Sequence, residues 1–314
     1  MGGRRYAGCF DLHGRADAIL SPCDDNATAS HGAQSIALNL SAVPRAWLGL
    51  TPIPATGLAL SLLFATLLPA PTQALSNFKV APSTVWGHTY AGKAVGNPTT
   101  TPPKVFNLEA KSKFVVNYKN FPDWAKKDFQ SAVDIWAANF ASAAPVTIDA
   151  SWGRAPSWGV LGSARPGNYY SGFDGAPDQS LWYPSALANA LAGKDLEPDN
   201  PDMVIQINSL ANWNTRNDGT PSATEYDLPS VFLHEMAHGL GFLSTDSYDS
   251  FFGYGTIEQA TPYAAYAQLP DGRRLSDLPS PSIELGKALT STLVWSGQFG
   301  NAANGGEKII LYTP

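Results

Sequence analysis

"LPSVFLHEMAHGLGFLSTDS", residues 228–247, is the most informative stretch of this 314-residue chain. Asp227 just before it and Pro229 at its second position are helix-start signals. An acid can cap the free N–H groups there, and a proline in the first turn sacrifices no hydrogen bond. Nothing from Ser230 to Gly239 breaks a helix, and Gly241 stands where a glycine ends one by taking a positive φ. His234 and His238 are four residues apart, just over one turn, so both imidazoles project from one face. Glu235 lies about 100° round the axis, within reach of a metal-bound water but not itself a ligand. Neutral imidazoles at this spacing suit Zn²⁺, which lowers the pKa of its bound water towards about 7. Glu235 would take that water's proton and return it to a leaving nitrogen.

Composition narrows the setting. The formal net charge is −6 and no dense Lys/Arg run occurs, which argues against nucleic acid or an anionic membrane surface as partner. Only 15% of residues are charged, against 28 Gly, 25 Pro and 9 Trp, the make-up of a loop-rich extracellular globule.

"PRAWLGLTPIPATGLALSLLFATLLPAPTQALS" reads as a secretory signal over 43–74: Arg45 as positive flank, an apolar run from Gly57 to Leu68, and small Ala74 before the cut. The apolar run is shorter than the roughly 20 residues a membrane span needs, and Pro69 and Pro71 close it, so no stable span is expected once the signal is removed. Residues 1–42 then read as a mis-assigned start, with Val43 a candidate initiator because GTG can encode both. Both cysteines, Cys9 and Cys23, fall in that part. The expected mature chain therefore has no disulfide and no thiolate metal site, which suits bacterial export. It keeps three histidines, His88, His234 and His238. Two of the three on one helix face, with Glu235 between them, favour a zinc site over a hydrogen-bonded core pair.

Residues 75–106 are Pro/Thr/Gly-rich and read as a linker or pro-segment, with His88 a solvated linker histidine. Residues 107–314 read as the catalytic domain. "KFVVNY" is a strand, and "PDWAKKDFQSAVDIWAANFAS" is an amphipathic helix with apolar residues at Ala125, Phe129, Ala132, Val133, Trp136 and Phe140. "PVTIDASW" and "WGVLGSARP" are strands, "YPSALANALAG" is a helix between Pro184 and Gly193, and "DMVIQINS" is a buried strand. That order predicts an α+β sheet with helices behind it. Five tryptophans, Trp152, Trp158, Trp182, Trp213 and Trp295, read as core more readily than as a cleft lining.

"HEMAHGLGF" resembles the HExxHxxG pattern of the metzincin clan of zinc endopeptidases. With Phe242 it is most similar to the leishmanolysin-like branch and its secreted bacterial relatives, in which the third histidine follows a long insertion. "AVDIWAANF", "LWYPSALANALAG", "DMVIQINS" and "LVWSGQFG" resemble that group's backing helix, pre-site helix, strand and downstream strand. The resemblance implies a metzincin-like catalytic domain, a twisted sheet with a backing helix and an active-site helix. It also implies a secreted enzyme acting on protein or peptide substrates, with "VLGSA" as the sheet edge that pairs with an extended substrate. The rival reading is a non-catalytic secreted binding protein that keeps the fold with an incomplete metal site. Oligomeric state is left open.

A zinc site needs a third protein ligand. The short-spaced position holds Ser244, and neither a histidine after His238 nor a methionine after Met236 occurs. Three completions stay open. In the first a carboxylate serves, with Asp246, Asp249 and Glu258 nearest, Glu258 lying 20 residues after His238. In the second the chain is an inactive relative. Or the ligand lies beyond Pro314 and the C-terminal subdomain is incomplete, the completion this reading prefers.

Overall fold

The structure, a computed structural model, describes residues 78–91, 109–155, 157–216 and 220–311. The expected start (1–42) and signal (43–74) lie outside the described residues. The fold is α+β. Its strands are β1 (Lys79–Pro82), β2 (Gly87–Tyr90), β3 (Phe114–Lys119), β4 (Val146–Gly153), β5 (Val160–Pro166), β6 (Asn168–Ser171), β7 (Tyr183–Pro184), β8 (Met203–Asn208), β9 (Ser247–Asp249), β10 (Tyr254–Thr256), β11 (Ala267–Gln268), β12 (Leu293–Trp295) and β13 (Ile310–Leu311). Its helices are α1 (Asp123–Asn139), α2 (Ser185–Ala192), α3 (Leu228–Leu240), α4 (Pro262–Tyr266), α5 (Ile283–Leu289) and α6 (Gln298–Ala303).

Five strands form the main sheet in the order β2-β5-β8-β4-β3. β3, β4 and β8 run parallel, and α1 supplies the crossover that the β3–β4 pair requires. β5 reverses direction on β8, and β2 adds antiparallel to β5 at the edge. Side-chain alternation decides which face is covered. Val146, Ile148 and Ala150 of β4 and Met203, Ile205 and Ile207 of β8 are buried, while Asp149 and Gln206 are exposed. β8, expected as a buried strand, is therefore buried on one face only, because helices cover one side of the sheet.

α1 turns Ala125, Phe129, Ala132 and Val133 onto that covered face, as its periodicity predicts. The Phe129 and Phe232 rings lie 4.5 Å apart between centroids, and Phe121 joins them at 5.9 and 6.1 Å. Trp136 Nε1 donates to the Leu233 carbonyl at 3.2 Å, so α1 grips α3 through both apolar area and a hydrogen bond. Trp152 and Trp213 belong to the same core, whereas Trp158 is almost fully exposed.

Two smaller clusters flank this core. Tyr170, Phe173 and Tyr183 pack beside the β1-β6-β7 sheet, and Leu275, Leu285, Leu293 and Leu311 beside the β11-β12-β13 sheet. The expected strand "LVWSGQFG" is a strand only over β12. Gly297 then caps α6, so its second half is helical. Part of the 75–106 stretch is also ordered into the fold, β1 pairing with β6 and β2 with β5. No helix among the described residues is long and apolar enough to cross a membrane.

Phe232 is fully buried between α1 and the sheet, so Phe232→Ala should cost about 3–5 kcal/mol. Urea unfolding checks this. A loss below about 1 kcal/mol would mean the α1–α3 aromatic contact does not hold the core together.

Candidate active site

α3 forms where the sequence signals place it. The Asp227 carboxylate accepts the Ser230 N–H at 3.0 Å, and Pro229 occupies the first turn. Gly241 ends the helix with φ +110, and a Cβ there would lie 2.6 Å from the Pro184 ring. Only glycine satisfies both the backbone angle and the close approach.

The turn at Gly241 has a chemical effect. It brings the Phe242 carbonyl back to within 2.8 Å of His238 Nδ1. A carbonyl can only accept, so Nδ1 carries the proton and the neutral ring keeps its lone pair on Nε2. The His234 and His238 rings stand 4.5 Å apart between centroids at 83°, on one face of α3. Burial pushes His234 well below the ordinary imidazole value, with His238 adding to it. Burial also lowers His238, opposed by the Phe242 bond. Both rings are therefore neutral at pH 7, the form that ligates a metal.

Glu235 is fully buried. Its Oε1 accepts the Thr89 backbone N–H at 3.0 Å and the Thr89 hydroxyl at 2.6 Å, while Oε2 has no hydrogen-bond partner. Burial pushes the carboxyl up to about 8, the two Thr89 bonds pulling the other way. In this conformation burial favours the protonated form of Glu235.

The three residues singled out from the sequence thus share one helix. Of the three candidate carboxylates, Asp246 and Glu258 are neighbours. Burial pushes Asp246 up to about 6, with Glu258 adding to it, while exposed Glu258 accepts the Ser247 hydroxyl at 3.1 Å. Asp249 caps the β9–β10 turn by accepting the Phe251 and Phe252 N–H groups. Among the described residues no three His, Cys, Asp or Glu side chains gather into a metal-holding group. His88 is not a solvated linker histidine. It is half-buried on β2 and shares a 2.8 Å hydrogen bond with Ser163 Oγ. Strand alternation turns Gly87 and Thr89 towards α3 and His88 to the opposite face, where it meets Tyr90. Thr89 and Gly87 are the site residues that sequence reasoning missed.

Residues 106–261 match the model of a family described as SPBPB7E8-like. The match covers just under half of the chain and includes α3 and all of the main sheet except β2. No curated protein and no solved structure matches the chain.

A second carboxylate lies at the base of the site helix. Asp128 of α1 is buried, and neither of its oxygens has a hydrogen-bond partner among the described residues. Burial, and then the nearby charge of Asp227, pushes it up to about 6. A carboxyl raised in the folded state favours folding below its unfolded value, and that contribution is lost as pH rises through about 6. Asp128→Asn should therefore be more stable than wild type at about pH 8, the difference closing by about pH 4. Urea midpoints at the two pH values decide this, and an unchanged difference would mean that Asp128 is not the group responsible.

Proposed function

We propose that the chain is a secreted zinc-dependent endopeptidase with a metzincin-like fold, related in plan to the leishmanolysin-like branch. One observation carries the reading. Two neutral imidazoles lie one turn apart on a buried helix, the tautomer of one is fixed by a backbone carbonyl, and a buried carboxyl with an unpartnered oxygen lies between them in sequence. The two imidazoles, His234 and His238, supply two of the three protein ligands a zinc ion needs and would hold it together with a third group. Zinc bound there supplies a water acidic enough to lose its proton near neutral pH.

The remaining chemistry belongs to the chain. The Phe242 carbonyl holds the proton of His238 on Nδ1, which leaves the Nε2 lone pair free for a metal. Glu235, once ionised, receives a proton at its carboxylate and delivers it to the nitrogen of the departing amine. Burial favours its protonated form, which suits the second half of that task, the delivery of the proton. β5, expected as the sheet edge that pairs with substrate, is covered by β2, so an extended peptide would pair with β2 or take its place.

Glu235→Gln should lower casein hydrolysis by about 10²–10⁴ while leaving zinc content unchanged, because an amide cannot accept the proton. His234→Ala and His238→Ala should lose zinc and activity together. Activity assays paired with metal analysis check this, and full turnover in the glutamine variant would refute the assignment of Glu235. Glu258→Ala and Asp246→Ala should leave zinc retention after dialysis unchanged. Loss of zinc in either variant would instead make that carboxylate the third ligand. A chain that neither retains zinc nor cleaves casein would be the non-catalytic binding protein.

A further inference from the structure

The β9–β10 hairpin carries an aromatic tip on a fixed base. Tyr248, Phe251, Phe252 and Tyr254 are all exposed, Phe251 by 86% and Phe252 by 64%. The two phenylalanine rings meet edge-on, 4.7 Å apart between centroids. The base is tied down. Gly255 and Ser282 exchange both backbone hydrogen bonds, at 2.9 and 3.0 Å, just before α5. A Cβ at Gly255 would lie 2.6 Å from the Gly286 nitrogen, so hairpin and helix touch through their backbones. Ile283, also exposed, follows this bridge and extends the apolar surface.

Backbone, shape and charge together say what the tip fits. Asp249 Oδ1 accepts the Phe251 and Phe252 N–H groups at 2.8 and 3.1 Å, and the Asp249 carbonyl accepts that of Gly253 at 2.7 Å. A segment leaving water for lipid must satisfy its N–H groups internally, and the tip does so for these three. Tyr254 stands opposite Asp249 and Tyr248 opposite Gly255, so alternation puts the two tyrosines on opposite faces of the ribbon. The phenylalanines lie beyond both, at the turn. A protein docked on one face would leave a tyrosine unused. A lipid interface surrounds the tip on every side, with the amphipathic tyrosines at headgroup level and the phenylalanines deeper. No lysine or arginine occurs between His238 and Arg273, and Asp249 is the one charged residue of 247–256. Nothing in the hairpin seeks an anionic headgroup, so the surface it matches is zwitterionic.

We propose that the β9–β10 hairpin inserts Phe251 and Phe252 into the interface of a zwitterionic lipid surface and attaches the protein to it peripherally. Two rings give a weak, reversible hold. The attachment needs neither zinc nor proteolysis, so it stands or falls apart from the peptidase reading.

The test uses the processed chain from residue 75 onward, because the apolar run at 57–68 would itself enter lipid. Sedimentation with sucrose-loaded vesicles of pure phosphatidylcholine reads the partition. Wild type should bind, equally at about 0.1 and 1 M NaCl, since no charge pairing is there to be screened. Phe251→Ser combined with Phe252→Ser should weaken binding by about tenfold or more, because both rings lose their burial in lipid. Phe251→Ser alone, at the more exposed position, should show part of that loss. The paired change Phe251→Leu and Phe252→Leu should keep most of the binding. Trp158→Ser, an exposed aromatic outside the hairpin, should bind as wild type. Unchanged urea midpoints show that each variant folds. Absence of wild-type binding would overturn the proposal, as would binding that needs anionic lipid and vanishes in salt. So would serine variants that bind as wild type, or a leucine pair as weak as the serine pair, the mark of a sugar or protein that recognises the rings themselves. A wild-type dimer that the serine pair converts to monomer, with no vesicle binding, would make the hairpin a contact between copies instead.

Discussion

The structure depends on how α3 is clamped. Ten of its thirteen residues are buried, so it is held on more than one side: by β5 and β8 beneath, by α1 across the Phe129–Phe232 contact, and by β2 at the edge. A helix in that position cannot rotate or slide without opening a cavity, and cavities in a packed core are costly. His234, Glu235 and His238 inherit this rigidity. Under the proposed function these side chains would meet a metal and a reacting carbonyl in fixed geometry, and would gain from a scaffold that does not move.

The same clamp sets the electrostatics. Taking Glu235 out of water makes its charged form expensive, and among the described residues Thr89 offsets part of the cost. Asp128 stands in a comparable position at the other end of the helix, a carboxyl buried on the face of α1 that otherwise carries apolar residues. Both acids raise the free energy of the folded chain at neutral pH. For Glu235 the proposed chemistry gives a reason for this; for Asp128 no comparable role follows from its contacts.

Much of this was legible in the sequence, and the parts that were not share a cause. α3, its cap and its closing glycine were readable because each signal is local: a capping acid, a proline in the first turn, histidines at helical spacing and a glycine at the exit. α1, α2, β3, β4, β5 and β8 were readable from their periodicity or punctuation. β2 was not, although "VWGHTY" carries the right residue types. It is four residues long in a Pro/Thr-rich surrounding, and it exists as a strand because β5 offers an open edge. The elements between β9 and β13 are two to seven residues long and leave no period to detect. The Thr89–Glu235 contact joins positions 146 apart, and nothing local in either residue announces the other.

Gly241 shows how far a backbone constraint can reach. Its left-handed φ and its closeness to Pro184, with the Phe242 N–H donating to the Ala237 carbonyl, fix the direction in which the chain leaves α3 and so aim the Phe242 carbonyl at His238. Any side chain at 241 would force the turn open and withdraw that carbonyl, leaving the imidazole proton free to settle on the other nitrogen. The ring would then present a hydrogen where a metal needs a lone pair. A residue with no side chain thus chooses the tautomer of its neighbour, and a substitution there would act as a change of chemistry at His238 without altering one atom of it.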